Sequence, residues 1–244
     1  MNDCRYVHVI AEGPTEDIFL NSVVLPYLKE KSSVIQSCKV TNFNGVGRTE
    51  SEGYNRMRRH IVAAILSYIN KERHVEKKPL FTTFIDYYRF PKAGIPQYAY
   101  TKFPDVYQQV CDRQNAFRNA ILSEQKLSGV LDKFEFRPFL MLHETETLIF
   151  VDPGKLDGIV TTRKAIIKDL VKQACLFSNV EEINDNYYTS PKHRIEIVFS
   201  DHNEVYHEKT HTPLVAKAIG MPVLIDACKH FGDWINMLCE NKWE

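Results

Sequence analysis

No apolar run in this sequence approaches the ~20 residues needed to cross a bilayer, and the start carries no recognisable secretory signal. Those two absences exclude a membrane-spanning helical protein and set the expectation of a soluble, cytoplasmic one. Neither sign of charge is in excess: 31 Lys and Arg balance 31 Asp and Glu. A global electrostatic footprint of nucleic-acid binding is therefore missing, and a nucleic-acid substrate would need a local basic patch. The six cysteines, at positions 4, 38, 111, 175, 228 and 239, form no CxxC pair. That scatter fits reduced thiols and argues against a disulfide framework or a zinc site. There is no internal repeat, no low-complexity tract, no phosphate loop and no dinucleotide fingerprint. No Ser-His-Asp or Cys-His order supports covalent catalysis.

What is present is an ordinary globular composition, 44% hydrophobic and 25% charged over 244 residues, long enough to bury a substantial core. The first apolar run, Tyr6–Ala11, reads as a strand. Thr15 then caps a helix to about Lys31, kinked or divided at Pro26. Val34–Phe43 reads as a second strand, closed by the Asn44-Gly45-Val46-Gly47 turn. Tyr54, Met57, Ile61, Ile65 and Tyr68 trace one face of a long helix. Leu80–Ile85 is a continuous apolar run, the signature of a strand buried on both faces. A loop rich in Pro, Gly and Tyr follows, and Pro104 opens a helix with Val106, Val110, Phe117 and Ile121 on one face. Phe134–Leu142 reads as a fourth strand. This βαβαβαβ order predicts a mostly parallel α/β sheet flanked by helices. Beyond it, Arg163–Phe177 reads as a helix, Asn179–Asn203 as polar and turn-rich, and Pro213–Ile219 and Val223–Cys239 as short helices. The expected organisation is an α/β domain over residues 1–150 with a mainly helical extension over residues 151–244.

Three of the strands end in carboxylates: Glu12 with Glu16 just beyond it, Asp86, and Glu144 with Glu146. In an open parallel sheet the carboxyl edge is where ligands gather. Like charges held close are costly, and a hard divalent cation with oxygen ligands is the common reason to assemble them. Glu12, Glu16, Asp86, Glu144 and Glu146 are thus the candidate ligands for Mg²⁺ or Mn²⁺. Each has a plainer reading beside it. Glu16 could complement a helix dipole, Asp86 could cap a turn, and Glu146 could be solvated surface. Glu144 and Glu146 share one ion only if the chain stays extended there; a helix starting at His143 would separate them by about 200°. Lys192, Arg194, Lys209 and His211 form a candidate basic rim for phosphate. His202, His207 and His211 have spacings that make only a weak zinc pattern. Arg56, Arg58 and Arg59 read as an exposed helix face, and Tyr87, Tyr88, Phe90, Tyr98 and Tyr100 as aromatics that could either stack on bases or pack internally.

The Glu12-Gly13-Pro14-Thr15-Glu16 opening and the strand order resemble the Toprim domain of topoisomerases, primases and OLD-type nucleases. More closely, Glu12–Glu16, Asp86-Tyr87-Tyr88, His143-Glu144-x-Glu146 and Lys209-x-His211-x-Pro213-Leu214 resemble the Toprim-like DUF4276 proteins. The closing segment, from Ile219-Gly220 through Cys228-Lys229-His230-Phe231 to Trp234, is similar to that family as well. The resemblance implies a Mg²⁺-dependent nuclease acting on DNA or RNA, with Glu12 as general base or ligand and Lys209 and His211 neutralising phosphate. It also implies an ABC-type ATPase partner in a bacterial defence locus. One departure is that Tyr88 stands where the Toprim pattern has the second Asp of an Asp-x-Asp pair. A ligand is lost there: either Glu144 or Glu146 substitutes, or a single weak metal site or none is left, and the last case favours a non-catalytic partner of an ATPase.

Overall fold

The structure is a computed structural model that describes residues 5–32, 35–43, 50–71, 78–87, 90, 105–161, 163–183 and 187–240. The turn at residues 44–47, Tyr88 and the aromatics Tyr98 and Tyr100 lie outside the described residues.

Five strands form one parallel sheet: β1 (Arg5–Ala11), β2 (Ile35–Asn42), β3 (Leu80–Asp86), β4 (Glu135–Arg137) and β5 (Leu140–Met141). Their order is β2-β1-β3-β4, and β5 also pairs with β3. This is the α/β class expected from the strand and helix order. β3 is central, and its apolar run is buried on both faces. The single strand expected over Phe134–Leu142 is divided. Pro138 has no N–H for the ladder, and Thr83 replaces the missing rung: its hydroxyl donates to the Phe139 carbonyl (2.8 Å) and accepts from the Phe139 N–H (3.0 Å).

Side chains alternate across the sheet, as a period of two requires. Val7, Val9 and Ala11 face one apolar layer, and Ile10 faces the other. The second layer is covered by α3 (Glu50–Lys71) and α4 (Asp105–Leu122), whose predicted faces, including Tyr54, Met57, Ile61, Val110 and Phe117, are buried there. The first layer is covered by the chain's opening helix and by its C-terminal part. That opening helix runs as α1 (Pro14–Phe19), a π-helical segment (Leu20–Val24) and α2 (Leu25–Lys31). Pro26 sits in the first turn of α2, and the widened turn before it makes room for a ring that cannot donate backward. Thr15 does not cap; Gly13 is the N-cap residue and Thr15 is buried inside the helix.

The C-terminal part contains α5 (Lys164–Ala174), α6 (Pro191–Asp201), α7 (Glu208–Ile219), α8 (Met221–Ala227) and α9 (Lys229–Glu240). α6 occupies part of the segment expected to be turn-rich. Its start is a capped one: Ser190 Oγ accepts from the His193 N–H (3.4 Å), Pro191 follows, and Ile195, Val198 and Phe199 are buried at helical spacing. Phe150, Phe199, Phe231 and Trp234 join Val9, Phe19 and Phe84 in one continuous core. Among the described residues, no helix is long and apolar enough to cross a membrane.

Candidate functional site

Register brings the first two carboxylates together. Ala11 pairs with Phe84, and the Glu12 N–H continues the ladder to the Phe84 carbonyl (3.1 Å), so Glu12 stands level with Ile85. Its carboxylate reaches across one strand spacing, about 4.8 Å, and accepts from the Asp86 N–H through Oε2 (3.2 Å). Gly13 turns the chain at once into α1. A Cβ there would lie 3.1 Å from Glu16 Oε2, so the missing side chain lets Glu16 fold back against the strand end. Asp86 is held in turn by Thr145, whose N–H and hydroxyl face Asp86 Oδ1 at 3.2 and 3.4 Å.

The last two carboxylates depend on a strained turn. His143 has φ 65°, a left-handed conformation that a non-glycine residue adopts at a cost of about 1–3 kcal/mol. Its ring is buried, with Nε2 2.8 Å from the Glu181 carbonyl. The helix therefore begins after His143 and not at it: Glu144 is extended, and a 3₁₀ helix runs over Thr145–Val151. Glu144 and Glu146 are both buried. Glu144 accepts from the Lys192 N–H in the first turn of α6, where the positive end of a helix favours an anion. Glu146 lies 3.5 Å from the Thr212 hydroxyl of α7, and Thr212 is bonded to Tyr206.

The five carboxylates act on one another. Burial raises the Asp86 pKa well above the carboxylate range, and Glu16, Glu12, Glu146 and Glu144 add to it. Burial also raises Glu146, with Glu144 and Glu16 adding and Lys192 opposing. Glu16 is raised by burial first and by Glu208, again opposed by Lys192. The Lys192 ammonium pairs with Glu208, which leaves a cation on the rim of an acidic centre.

Lys192 is the one member of the expected basic rim that acts this way. Arg194 is turned to the Thr189 carbonyl, Gln173 and the Phe177 ring. Lys209 is exposed on the first turn of α7. His211 packs its ring against Phe199, Tyr206 and His207, and its Nδ1 accepts the His207 N–H (3.1 Å); burial lowers its pKa. His202 pairs with Asp169. Thr145, Glu208 and Thr212 are the site residues that sequence reasoning passed over. Only Thr145, lying between Glu144 and Glu146, had a local signal.

The donor set is all oxygen, which suits a hard divalent ion rather than zinc or copper. Among the described residues, no three His, Cys, Asp or Glu side chains are grouped closely enough to hold a metal ion. The pKa values of Asp86, Glu146 and Glu16 are raised by burial and by neighbouring carboxylates, both of which a bound cation would offset.

Fold and site together define an α/β protein with a partly buried carboxylate cluster at the carboxyl edge of a parallel sheet, with Lys192 on its rim. The chain belongs to the family described as a domain of unknown function, DUF4276, which it matches over residues 11–239. No curated protein and no solved structure matches it.

Proposed function

We propose that this protein is a Toprim-like, Mg²⁺- or Mn²⁺-dependent nuclease that hydrolyses phosphodiester bonds in DNA or RNA. The observation carrying this reading is the raised pKa of Asp86, on which Glu16, Glu12, Glu146 and Glu144 all act at one sheet edge. Evolving proteins have little structural use for five carboxylates that oppose each other's ionisation; perturbed groups gathered this way mark functional sites. Glu12, Asp86 and Glu144 would hold the metal only by closing in on it, since among the described residues no three such side chains are grouped closely enough as they stand. When bound, such an ion lowers the pKa of a water and offsets charge on phosphate oxygens.

The chain's own groups supply the rest. Glu12 receives the proton from the attacking water. Lys192, in place of the Lys209 and His211 expected from sequence, offers its ammonium to a substrate phosphate, which would displace Glu208 from it. The Thr145 N–H fixes Asp86, and the first turn of α6 fixes Glu144. In this reading the protein works with an ABC-type ATPase in a bacterial antiviral system, as the family resemblance implies.

A second reading is a non-catalytic module that retains the fold to bind an ATPase. It is favoured by the lack of a metal-holding group among the described residues and by Tyr88 at the position of an expected ligand. The deciding experiment is cleavage of labelled DNA and RNA with Mg²⁺ or Mn²⁺, with and without a candidate ABC-type ATPase partner. Cleavage that Glu12→Gln abolishes supports the nuclease. No cleavage by the unaltered protein under any of these conditions supports the module.

A further inference from the structure

The segment around Cys228, His230 and Trp234 plays no part in the carboxylate site, yet it lines a cavity of about 400 Å³ between α4 and α9. That volume suits a ligand of small-molecule size, far larger than a lone inorganic anion. The cavity sits against β4 and β5, on the outer edge of the sheet, where backbone groups have no neighbouring strand.

Side chains from the two helices satisfy that edge, and in doing so they become fixed. The Gln114 oxygen accepts from the Leu140 N–H (2.8 Å). His230 Nε2 lies 2.9 Å from the Leu140 carbonyl and 3.1 Å from the same Gln114 oxygen. Both neighbours are acceptors, so Nε2 carries the proton; burial lowers the His230 pKa to about 4, which keeps the ring neutral. With its oxygen committed, Gln114 presents its NH₂ group to the cavity, where it has no partner among the described residues. One helical turn on, Arg118 Nε donates to the Phe136 carbonyl (2.9 Å). The two terminal nitrogens of that guanidinium have no partner among the described residues, and Arg118 also lines the cavity. Positions i and i+4 share a helix face, so these donors stand side by side.

The remaining walls are apolar and rigid. Phe139 is stacked between His230 (5.0 Å, 23°) and Trp234 (4.6 Å, 14°), and the Trp234 indole N–H donates to Thr82 (3.0 Å). The one lining carboxylate, Asp233, is already engaged by Tyr107 (2.6 Å) and Lys229 (2.6 Å). Arg137 adds a second positive charge. The cavity thus offers fixed donors, two guanidinium groups and aromatic walls, with the Asp233 charge offset by Lys229. That combination selects a ligand with an oxyanion and a ring bearing acceptors.

We propose that this cavity binds one nucleotide, its phosphate on Arg118 and its base edge against the Gln114 amide. The ligand is either a free nucleoside monophosphate or one unit of a strand. The location fits a strand held at the carboxylate edge. Phe139, one wall of the cavity, lies two residues before Met141, which pairs with Asp86, a step of roughly 7 Å along the chain. The strand form of the proposal rests on the nuclease reading; the cavity's preference for nucleotide does not.

The test is calorimetric titration of the full chain, in EDTA, with nucleoside monophosphates, the parent nucleosides, inorganic phosphate and a short single-stranded oligonucleotide. Saturable binding of a nucleotide form is expected. It should weaken at least tenfold in Arg118→Gln and in Asn115→Asp, the latter an exposed rim position where added charge leaves the core untouched. Binding by the oligonucleotide alone identifies the strand unit; binding by monophosphates identifies the free ligand. No saturable binding by either overturns the proposal. So does binding of phosphate as tight as that of nucleotide, or affinity unchanged in both variants. A protein that binds nucleotide here but cleaves nothing with Mg²⁺ or Mn²⁺ refutes the nuclease reading and leaves this one standing.

Discussion

Glu181 joins the two regions described above, and its ionisation should be visible in stability. The residue is fully buried. Its carboxylate accepts from the His230 and Phe231 N–H groups at the start of α9, and its carbonyl holds His143. Burial, only partly offset by those N–H groups, raises its pKa from 4.5 to about 7. The folded protein therefore keeps a proton that the unfolded chain releases. Where the folded state binds more protons, stability falls as pH rises. Below pH 4.5 both states are protonated and nothing is lost; above pH 7 the full desolvation penalty of the anion is felt. A shift of this size corresponds to about 3 kcal/mol, at 1.36 kcal/mol per pKa unit. Glu181→Gln removes the titration and keeps an oxygen for the α9 N–H groups. Urea unfolding of both proteins at intervals from pH 4.5 to 8 isolates the effect as a difference of two stability curves. The variant should gain about 3 kcal/mol relative to the unaltered protein across that range. A difference that stays flat with pH would refute the argument.

Lys192→Met should lower nucleic-acid cleavage at least tenfold, with partial recovery in Lys192→Arg. Unfolding free energy should change by no more than about 1 kcal/mol, because the pair with Glu208 is partly exposed; cleavage left intact would exclude Lys192 from the site. His8 titrates in the opposite sense. Burial, then Lys39 and His60, lower its pKa to about 4, so its contribution is complete above pH 6.5 and lost as pH falls towards 4. Relative to His8→Phe, the unaltered protein should lose about 3 kcal/mol over that interval, a difference that chemical unfolding at several pH values would detect. Gly232→Ala should destabilise by roughly 1–3 kcal/mol by forcing α8 and α9 apart, since a Cβ there would lie 2.4 Å from the Ile225 carbonyl oxygen. An unchanged melting temperature would count against that packing.

The sheet was legible because its strands are apolar runs that stop at a charge. Tyr6–Ala11 ending in Glu12, and Leu80–Ile85 ending in Asp86, gave both the strands and the edge on which the carboxylates meet. The break at Pro138 was written in the sequence, since proline cannot supply a central rung, but the substitute rung from Thr83 is a tertiary contact with no local trace. α6 was missed although Ser190-Pro191 and the Ile195, Val198, Phe199 spacing announce it; flanking polar residues outweighed that pattern. Lys192 was singled out as part of a basic rim, but its place in the first turn of α6 was not. Lys209 and His211 stood out by resemblance, and the fold exposes the first and packs the second among aromatic rings. Gln114, Arg118 and Glu181 act on backbone far away in sequence, and no window of residues could have revealed their roles.

The central claim is that the sheet-edge carboxylates hold a divalent cation. Diffraction from manganese-soaked crystals, measured for anomalous signal, tests it most directly. The account predicts a peak bounded by Glu12, Asp86 and Glu144 that disappears in Glu12→Gln crystals soaked in the same way. Well-ordered carboxylates with no anomalous peak between them at saturating manganese would contradict it.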